Sequence, residues 1–480
     1  MGFRRPWLVA ALVVAAAACS SPRRHIAAPG FANGSRLSVR YDEVGGARLW
    51  HAFYDSQRDE ECAFQLLSDG GAACLPQSAL LDGWFADGNC TEPVVEIPHV
   101  PSGRTPARAY VADPANACDA APTVHALGDV VPGPDAYYLR SDGTCMQNPP
   151  NSKIVLRKVG DEVPLSSFVH ATPLIENVSA ALGAVVLVAD DGARFNLFGH
   201  DPARDEWTRA VSPGDGTTRW WPVHLSYNYG NGVPGTPGAF FADSGCNVAT
   251  GIKDAHNALC PITAVYEYVP GDACQQFTLT LHQAGAPVAT ADLHVRAGDG
   301  SCVGITPSAD DATQLFVEMG DALPVDAFPT ATTLDVGDGR IVQRFDATPD
   351  GTIGITARGE LHDRARDVDC FIGTAADGQR RCLPGSPIDS VFYPDAGCSQ
   401  PMMAMTVLTG CTTDPVPSRE ETFQGHAFAV GAALTPAMIY SKASDGSCGL
   451  VGAPPSYDRF FALGDEIPSS AYEPATLHTD

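Results

Sequence analysis

Cysteine is the residue type whose chemistry is most evident in this sequence. The chain contains 15 cysteines, and outside the cytosol paired thiols oxidise to disulfides. Cys62 and Cys74 have the same spacing as Cys370 and Cys382, and each pair flanks an Asp-Gly dipeptide. Asp-Gly favours a tight type I′ turn between two strands, which brings the flanking residues together. We therefore predict the disulfides Cys62–Cys74 and Cys370–Cys382.

The other cysteines give less certain pairings. Three of them follow a Phe/Tyr-x-Asp segment, and each is followed by another cysteine further along the chain. Pairing each with the next one gives Cys90–Cys118, Cys246–Cys274 and Cys398–Cys411. Four cysteines stay unassigned: Cys145, Cys260, Cys302 and Cys448. Zinc is disfavoured because no CxxC or HxxxH spacing occurs.

Aspartate is the second residue type with chemical potential. The frame Asp-x-x-Arg-Asp occurs three times, beginning at Asp55, Asp201 and Asp363. Its two carboxylates would suit a ligand or Ca²⁺, whereas an Arg–Asp pair would hold a turn. We favour the turn, because one active site needs one set of residues and a repeated fold needs one set per copy.

A further set of aspartates leaves Ca²⁺ open as a cation. Asp87, Asp243 and Asp395 precede cysteines in similar segments, and carboxylate oxygens are ligands that Ca²⁺ accepts. The EF-hand spacing is absent, and aspartate is common in turns for reasons of backbone hydrogen bonding. We therefore predict no cofactor, with Ca²⁺ as the weaker alternative.

One aromatic segment is a candidate ligand loop. The stretch WWPVHLSYNYGNGVPGTPG contains Trp220, Trp221, Tyr227 and Tyr229 beside a glycine-rich insertion. Aromatic rings on a loop suit stacking against a sugar or a peptide. An inserted hairpin that covers a stretch without a disulfide explains the same residues equally well.

These residues are distributed over three internal repeats. FYDSQRDEECAFQLLSDGGAACLP aligns without a gap with LHDRARDVDCFIGTAADGQRRCLP, and HDPARDEWTRAVSPGDGTTRWWP is a middle copy. Thr208 and Trp220 replace both cysteines of the frame in that copy, as expected for a bonded pair. We place the repeats at 35–173, 174–331 (with an insertion near 227–238) and 332–480.

The elements that carry these residues are predicted to be strands. Segments such as RLSVRYD, KIVLRKV and QFTLTLH are short, alternate in polarity and end at Gly, Pro or Asp-Gly. This pattern is typical of antiparallel strands and hairpins, so the predicted fold class is all-β. Three copies that close on one another favour a β-propeller-like ring. Tandem small β domains are the alternative.

The first residues read as a targeting segment. MGFRRPWLVAALVVAAAACSS has two arginines followed by an apolar run too short to span a bilayer, which predicts a signal peptide over 1–19. The small residues before Cys19 resemble a bacterial lipobox. That resemblance implies lipid on Cys19, membrane attachment and, because Ser20 follows, the outer membrane. Residues 20–34 are predicted to be a flexible tether, and a soluble periplasmic or extracellular protein is the alternative.

Composition and resemblance limit the function. The formal net charge is −26, whereas a protein that binds a phosphate backbone needs a basic surface, so nucleic acid is not an expected partner. The AAAC end, the CxF…DGxxxCLP frame and the [WF]F-x-D-x-x-C turns resemble uncharacterised cysteine-containing repeat lipoproteins of high-GC Gram-negative bacteria. No activity is known for that group, so the resemblance transfers no mechanism to this chain.

The sequence therefore predicts a surface-anchored, non-enzymatic binding or structural module of the cell envelope. Its expected partner is an envelope or extracellular protein or glycan. Motifs for a nucleophile elbow, an HExxH metal site or a P-loop are absent. The alternative is a secreted glycan-active hydrolase or lyase, which requires titratable residues from different repeats to meet in one cleft.

Overall fold

The structure is a computed structural model. It describes residues 30–76, 84–97, 108–111, 122–132, 136–139, 144–147, 155–177, 179, 181–228, 240–254, 261–270, 277–297, 299–305, 314–348, 354–385, 390–406, 419–443, 446–455 and 458–480. Cys19 and the predicted signal peptide lie outside these ranges. The predicted tether lies outside them as far as residue 29, and its last residues belong to the fold, because Phe31 pairs with Phe195 of a later strand.

The regular structure is almost entirely β, as the short alternating segments predicted. The first twelve strands are β1 Phe31–Ala32, β2 Leu37–Val44, β3 Ala47–Asp55, β4 Glu60–Leu66, β5 Ala72–Pro76, β6 Trp84–Phe85, β7 Val94–Ile97, β8 Arg108–Val111, β9 Thr123–Val131, β10 Tyr137–Leu139, β11 Cys145–Gln147 and β12 Val155–Val163. The next thirteen are β13 His170–Asn177, β14 Gly183–Ala189, β15 Arg194–Asp201, β16 Glu206–Val211, β17 Thr218–Pro222, β18 Leu225–Asn228, β19 Phe240–Phe241, β20 Thr250–Asp254, β21 Ala264–Pro270, β22 Phe277–Val288, β23 His294–Arg296, β24 Cys302–Gly304 and β25 Gln314–Ala322.

The last thirteen strands complete the chain. They are β26 Thr330–Val336, β27 Ile341–Ala347, β28 Gly354–Asp363, β29 Val368–Thr374, β30 Arg380–Pro384, β31 Val391–Phe392, β32 Met402–Thr406, β33 Glu420–Phe423, β34 His426–Leu434, β35 Ile439–Lys442, β36 Cys448–Gly452, β37 Asp458–Ile467 and β38 Ala475–Thr479. The helical turns of the described residues are 3-10 turns at Leu165–Ser167, Thr290–Asp292, Val325–Ala327 and Ser469–Ala471. No helix in the described ranges is long and apolar enough to cross a membrane.

A central sheet of 16 strands organises the molecule. Apart from β1, it consists of three successive antiparallel groups, which are β38-β2-β3-β4-β5, β13 to β17 and β26 to β30. The groups join edge to edge, with Ala171 opposite Ala72 and Thr330 opposite Arg219. The outermost strands β30 and β38 also approach each other, because the Cys382 N–H of β30 donates to the carbonyl of Glu473, just before β38. The two ends of the central sheet therefore lie next to each other.

The three groups pack against one another as well as pairing at their edges. One apolar cluster joins Leu37 and Phe53 of the first group to Leu187 of the second, and another joins Val44 to Ile341 of the third. These shared clusters distinguish the central sheet from three independent small domains. Edge-to-edge hydrogen bonding also differs from a propeller, in which blades pack face to face as separate sheets.

An arm leaves the central sheet after each group and returns to it through a 3-10 turn. The arms contain β6 to β12, β18 to β25 and β31 to β37. Each arm contains a long antiparallel pair with register shifts, β9 with β12, β22 with β25 and β34 with β37. In the middle arm, strands β18-β20-β25-β22-β21 close into a small barrel.

The structure confirms the two hairpin disulfides predicted from spacing. Cys62–Cys74 and Cys370–Cys382 each join neighbouring strands, with Cα atoms 5.3 Å apart in both. The other three pairings predicted from sequence order were wrong. The described bonds are Cys90–Cys145, Cys246–Cys302 and Cys398–Cys448. Cys118, Cys274, Cys411 and Cys260 lie outside the described residues.

The arm topology explains why sequence order failed to give these pairings. Cys90 follows β6, and the later strand β10 pairs with β6 through Tyr137 and Phe85. The hairpin of β10 and β11 carries Cys145 back to the start of the arm, and β23 and β24 do the same for Cys302. The partner nearest in space is therefore a distant one in sequence. The five disulfides found among the described residues are typical of proteins outside the cytosol.

The described Asp-Gly turns differ from the type I′ geometry expected for them. Gly70, Gly192 and Gly378 have φ of 83°, 92° and 76°, whereas the preceding aspartates are not among the residues with positive φ. Each aspartate instead accepts a hydrogen bond from the N–H two residues ahead, as Asp69 does from Gly71 at 2.9 Å. The side chain therefore fixes the turn, and only the glycine needs left-handed backbone.

Candidate functional site

The Asp-x-x-Arg-Asp frames are structural turns, as the repeated occurrence indicated. Their first aspartates are almost fully buried, with exposed fractions of 2% for Asp55 and 1% for Asp201 and Asp363. Each accepts the N–H two residues ahead, as Asp363 does from Ala365 at 3.0 Å. The last aspartate of each frame has positive φ, which these short polar residues tolerate. The buried carboxylates thus hold turns.

The arginine of each frame ties the end of an arm to the central sheet. Arg58 Nη2 donates to the Ser167 carbonyl at 2.9 Å, and Arg204 Nη2 donates to the Ala327 carbonyl at 2.7 Å. Both acceptors lie in 3-10 turns. Each guanidinium also covers the aromatic ring after that turn, and these pairs are Arg58 with Phe168, Arg204 with Phe328 and Arg366 with Tyr472. These arginines therefore make contacts that stabilise the fold.

The aspartates considered for Ca²⁺ likewise accept hydrogen bonds from backbone N–H groups. Asp87 accepts the N–H groups of Thr91 and Glu92 at 2.8 and 2.7 Å, and Asp243 and Asp395 hold equivalent turns. The Glu92 N–H lowers the pKa of Asp87, and the N–H of residue 248 lowers the pKa of Asp243. Within the described ranges, no group of three His, Cys, Asp or Glu side chains is placed to hold a metal ion.

These turns predict an acid-dependent loss of stability. A carboxylate whose pKa is lowered by folding stabilises the fold above the ordinary aspartate pKa of about 3.9, and this contribution disappears as the pH falls through the lowered value. We expect Asp87→Asn/Asp243→Asn to melt below the unsubstituted protein at pH 7, with the difference shrinking below pH 4. Melting temperatures across a pH series measure this. Asp465→Asn, at an exposed position, is the control, and a difference that is constant with pH contradicts the prediction.

The structure corrects the predicted ligand loop. Trp220 and Trp221 are 0% and 1% exposed, so their rings are not available for stacking on a ligand. Trp220 packs with Leu182 and Val186 inside the second group of strands. It lies at the position that Cys74 occupies in the first group, on the inward face of its strand. Tyr229 lies outside the described residues.

Tyr227 is the member of that loop which reaches a cavity. The cavity has a volume of about 260 Å³ and lies between the central sheet and the barrel of the middle arm. Phe198 and Arg209 of β15 and β16 line one wall, and Tyr227, Lys253 and Tyr266 of the barrel line the other. We call this cavity the middle-arm cleft.

Parallel pairing inside the barrel positions the aromatic wall. Tyr227 lies opposite Tyr266 in the register of β18 and β21, and their ring centroids are 6.1 Å apart at 41°. Val223 and Leu225, both buried, form the apolar base of the cleft. Arg209 is exposed on β16, and Lys253 is partly exposed on β20. The cleft therefore combines aromatic faces with two cationic groups.

Arginine at position 209 is specific to the middle group of strands. Arg209 lies opposite Trp221, at the place where Ala63 lies opposite Leu75 and Phe371 lies opposite Leu383. The neighbouring groups thus carry apolar side chains at this position.

Lysine at position 253 is equally specific to the middle arm. Counted from the aspartate and cysteine turn that opens each arm, Lys253 corresponds to Ile97 and Met405. Neither Arg209 nor Lys253 was among the site residues predicted from the sequence. Both are charged residues at positions where the corresponding residues elsewhere in the chain are apolar. This contrast in the sequence would have identified Arg209 and Lys253 as candidates.

Asp42 is a buried carboxylate outside the Asp-x-x-Arg-Asp frames. Asp42 is 3% exposed and accepts from Arg380 Nη2 of the third group at 2.8 Å. Burial raises its pKa, against the opposing effect of the nearby arginines. It is absent from the lining of the middle-arm cleft. Titratable groups from the first and third groups of strands meet here, outside the middle-arm cleft.

Comparison with known proteins identifies a family whose function is unknown. The family model described as a family of unknown function, DUF7481, matches residues 39–168 and 226–474. No curated protein and no solved structure matches the chain. The first matched segment contains the first hairpin disulfide and the first arm, and the second contains nearly all of the middle arm and the third group of strands. These segments cover well over half of the chain, which therefore belongs to the family of unknown function DUF7481.

Proposed function

We propose that this protein is a non-enzymatic binding module of the cell envelope that holds an acidic saccharide in the middle-arm cleft. The observation that carries the proposal is the meeting of Arg209 and Lys253 with Tyr227 and Tyr266 in one cavity. The chain as a whole has a formal net charge of −26, so a cavity lined by two cations is a local reversal of charge. Such a reversal suits an anionic ligand.

The framework of the proposal is an anchored repeat protein. Lipid on Cys19 attaches the chain to the outer membrane, and three copies of one unit, at 35–173, 174–331 and 332–480, build the body. Corresponding disulfides and corresponding 3-10 turns support the repeat assignment. Only the middle copy carries cations at the two cleft positions. A scaffold with one specialised copy suits recognition of one ligand.

The chemistry of the cleft matches an acidic sugar. Ligand sites combine apolar and aromatic walls with a few placed polar groups, and the aromatic rings suit the apolar face of a pyranose. Arg209 and Lys253 suit its carboxylate or sulfate. A hydrogen bond to a charged group contributes about 1.5–3 kcal/mol. A neutral saccharide would use the aromatic wall alone.

The hydrolase alternative has less support from the same geometry. Glycoside hydrolysis in most families uses two carboxyl groups that flank the scissile bond. The described lining of the middle-arm cleft contains neither a carboxylate nor a histidine. The buried Asp42 does not line the cleft, and the aspartates of the Asp-x-x-Arg-Asp frames hold turns. Binding is therefore the better interpretation.

Calorimetry on the full chain tests the proposal. We expect tetragalacturonate to bind and a neutral tetrasaccharide of glucose to bind at least tenfold more weakly. Arg209→Ala and Lys253→Met introduce residues found at the corresponding positions of other copies, Ala63 and Met405. Each should weaken tetragalacturonate binding about tenfold, which corresponds to about 1.4 kcal/mol, and added salt should weaken binding further.

A matched control separates the cleft from general charge. Lys158 lies in the first arm, where it pairs with Glu92 at 2.8 Å, and an exposed ion pair contributes little to stability. Lys158→Met should therefore leave binding unchanged. Equal loss in all three variants, or no binding of tetragalacturonate, contradicts the proposal. Release of new reducing ends from tetragalacturonate would favour the hydrolase instead.

A further inference from the structure

A second cavity lies on another part of the central sheet. Its volume is about 460 Å³, within the range of small-molecule sites. It lies where the first and third groups of strands meet, between the hairpin of β2 and β3 and the hairpin of β26 and β27. Its apolar lining consists of Phe31, Ala32, Val39, Ala47 and Val336. We call it the seam cavity.

Gln343 is the unusual residue of the seam cavity. It is 5% exposed, and its Nε2 has no hydrogen-bond partner among the described residues. A buried donor without a partner destabilises a fold, because it loses its hydrogen bonds to water and gains none in exchange. The corresponding inward positions of β2 and β14 carry the apolar residues Val39 and Ala184. The fold thus accepts an apolar side chain here, yet the third group has an amide.

An amide at this place suits a peptide group as ligand. The glutamine side chain has two N–H donors at one end and an acceptor oxygen at the other. Rotation about its last torsion exchanges the two ends, so Gln343 can turn either a donor or an acceptor toward the cavity. A peptide group has the same two functions, one N–H and one carbonyl. The two amides are therefore complementary.

Opposite charges lie around the same cavity. Arg48 is exposed, and its guanidinium lies 4.6 Å from the ring centroid of Tyr41. The Asp480 carboxylate accepts a hydrogen bond from the same tyrosine. Both residues line the seam cavity, and in the part of the chain that the structure describes no ion pair joins them. A cation and an anion that do not neutralise each other suit a ligand with both charges.

We propose that the seam cavity binds a short peptide in its zwitterionic form. The peptide carboxylate pairs with Arg48, its ammonium group faces Asp480, and one of its peptide groups hydrogen-bonds Gln343. Small apolar side chains of the peptide contact Val39, Ala47 and Val336. This site is separate from the middle-arm cleft, and the two share no lining residue.

Calorimetry with trialanine on the full chain tests the site. We expect trialanine to bind, and trialanine amide and N-acetyl-trialanine each to bind at least tenfold more weakly, because each lacks one terminal charge. Arg48→Ala should weaken trialanine binding by a similar factor. Arg209→Ala, in the middle-arm cleft, should leave trialanine binding unchanged, so failure at one site is distinguishable from failure at the other.

Gln343→Val gives two readouts that a purely structural glutamine would not give together. It should weaken trialanine binding at least tenfold and raise the melting temperature, because it removes the buried donor and installs the residue of β2. Gln343→Glu keeps the shape and replaces the amide N–H donors by a carboxyl group, so it should also weaken binding. Gln65→Val, in β4 away from the cavity, is the matched control and should retain binding.

Three results would overturn this proposal. The first is no binding of trialanine. The second is equal binding of the blocked peptides, which would leave no role for Arg48 and Asp480. The third is a lower melting temperature for Gln343→Val, which would show that the amide has a structural partner in the folded chain.

Discussion

Replacing Asp363 by alanine should lower the free energy of unfolding by about 3 kcal/mol, the lower end of the cost of removing one partner from a buried ion pair. Asp363 is 1% exposed and accepts from Arg340 Nε at 2.9 Å and from Arg340 Nη2 at 2.5 Å. It also accepts the Ala365 N–H at 3.0 Å. The substitution therefore removes both the ion-pair partner of Arg340 and the acceptor of the Ala365 N–H in the turn.

The effect should extend beyond the turn itself. Arg340 Nη2 also donates to the Ala471 carbonyl at 2.8 Å, within the last 3-10 turn. Asp363 therefore orients an arginine that links β28 to the return of the third arm. Because the side chain of Arg340 is 31% exposed, water compensates part of its charge, which is why we expect the lower end of the range.

Chemical denaturation with urea measures this prediction. Asp367→Asn is the control in the same turn, because Asp367 has a side chain 72% exposed and a φ of 56° that asparagine also tolerates. It should change the free energy of unfolding by less than about 0.5 kcal/mol. Equal effects of the two substitutions would contradict a special role for the buried carboxylate.

The sequence predicted features that depend on local spacing. The pairs Cys62–Cys74 and Cys370–Cys382 each flank one turn, so their proximity follows from the hairpin alone. The structural role of the Asp-x-x-Arg-Asp frames followed from their threefold occurrence in the sequence. The all-β class followed from alternation, which is a property of short windows of sequence. None of these needed knowledge of how distant strands pair.

Features that depend on the return path of an arm could not be predicted in this way. Cys90 pairs with Cys145 because β10 comes back to β6, and nothing in the spacing encodes that return. The middle-arm cleft arises where β16 meets a barrel formed by a later segment, so Arg209 and Lys253 come together only in the folded chain. Aromatic composition was an ambiguous signal, since the same segment gave buried Trp220 and cavity-lining Tyr227.

Trp220→Ala is the second substitution with a large expected effect. Trp220 is 0% exposed, and replacing a buried tryptophan by alanine costs about 3–5 kcal/mol. No disulfide joins β16 to β17, because Thr208 and Trp220 occupy the two cysteine positions of the frame. The ring therefore provides in the second group the cohesion that a covalent bond provides in the others.

Gly199 explains how the ring fits. A Cβ at this position would lie 3.2 Å from the Trp220 ring and 2.7 Å from Thr208 Oγ1. The corresponding positions hold Phe53 and Leu361, both 0% exposed, beside the more compact disulfides. In the second group a small residue, Gly199, accompanies the large Trp220 ring. In the other two groups a large residue, Phe53 or Leu361, accompanies a compact disulfide. We expect this compensation of side-chain volume to be required for stability.

Transplanting the arrangement of the first group tests that requirement. Gly199→Phe alone should destabilise the fold by about 1–3 kcal/mol through overpacking. In combination with Thr208→Cys and Trp220→Cys, it should form a disulfide and be more stable than Trp220→Ala by about 3 kcal/mol, the value of a closed loop of this length. Urea denaturation and non-reducing peptide mapping measure both effects. Tolerance of Gly199→Phe beside an intact Trp220, or absence of the new bond, would contradict the exchange, because either result would mean that ring and disulfide do not fill the same space.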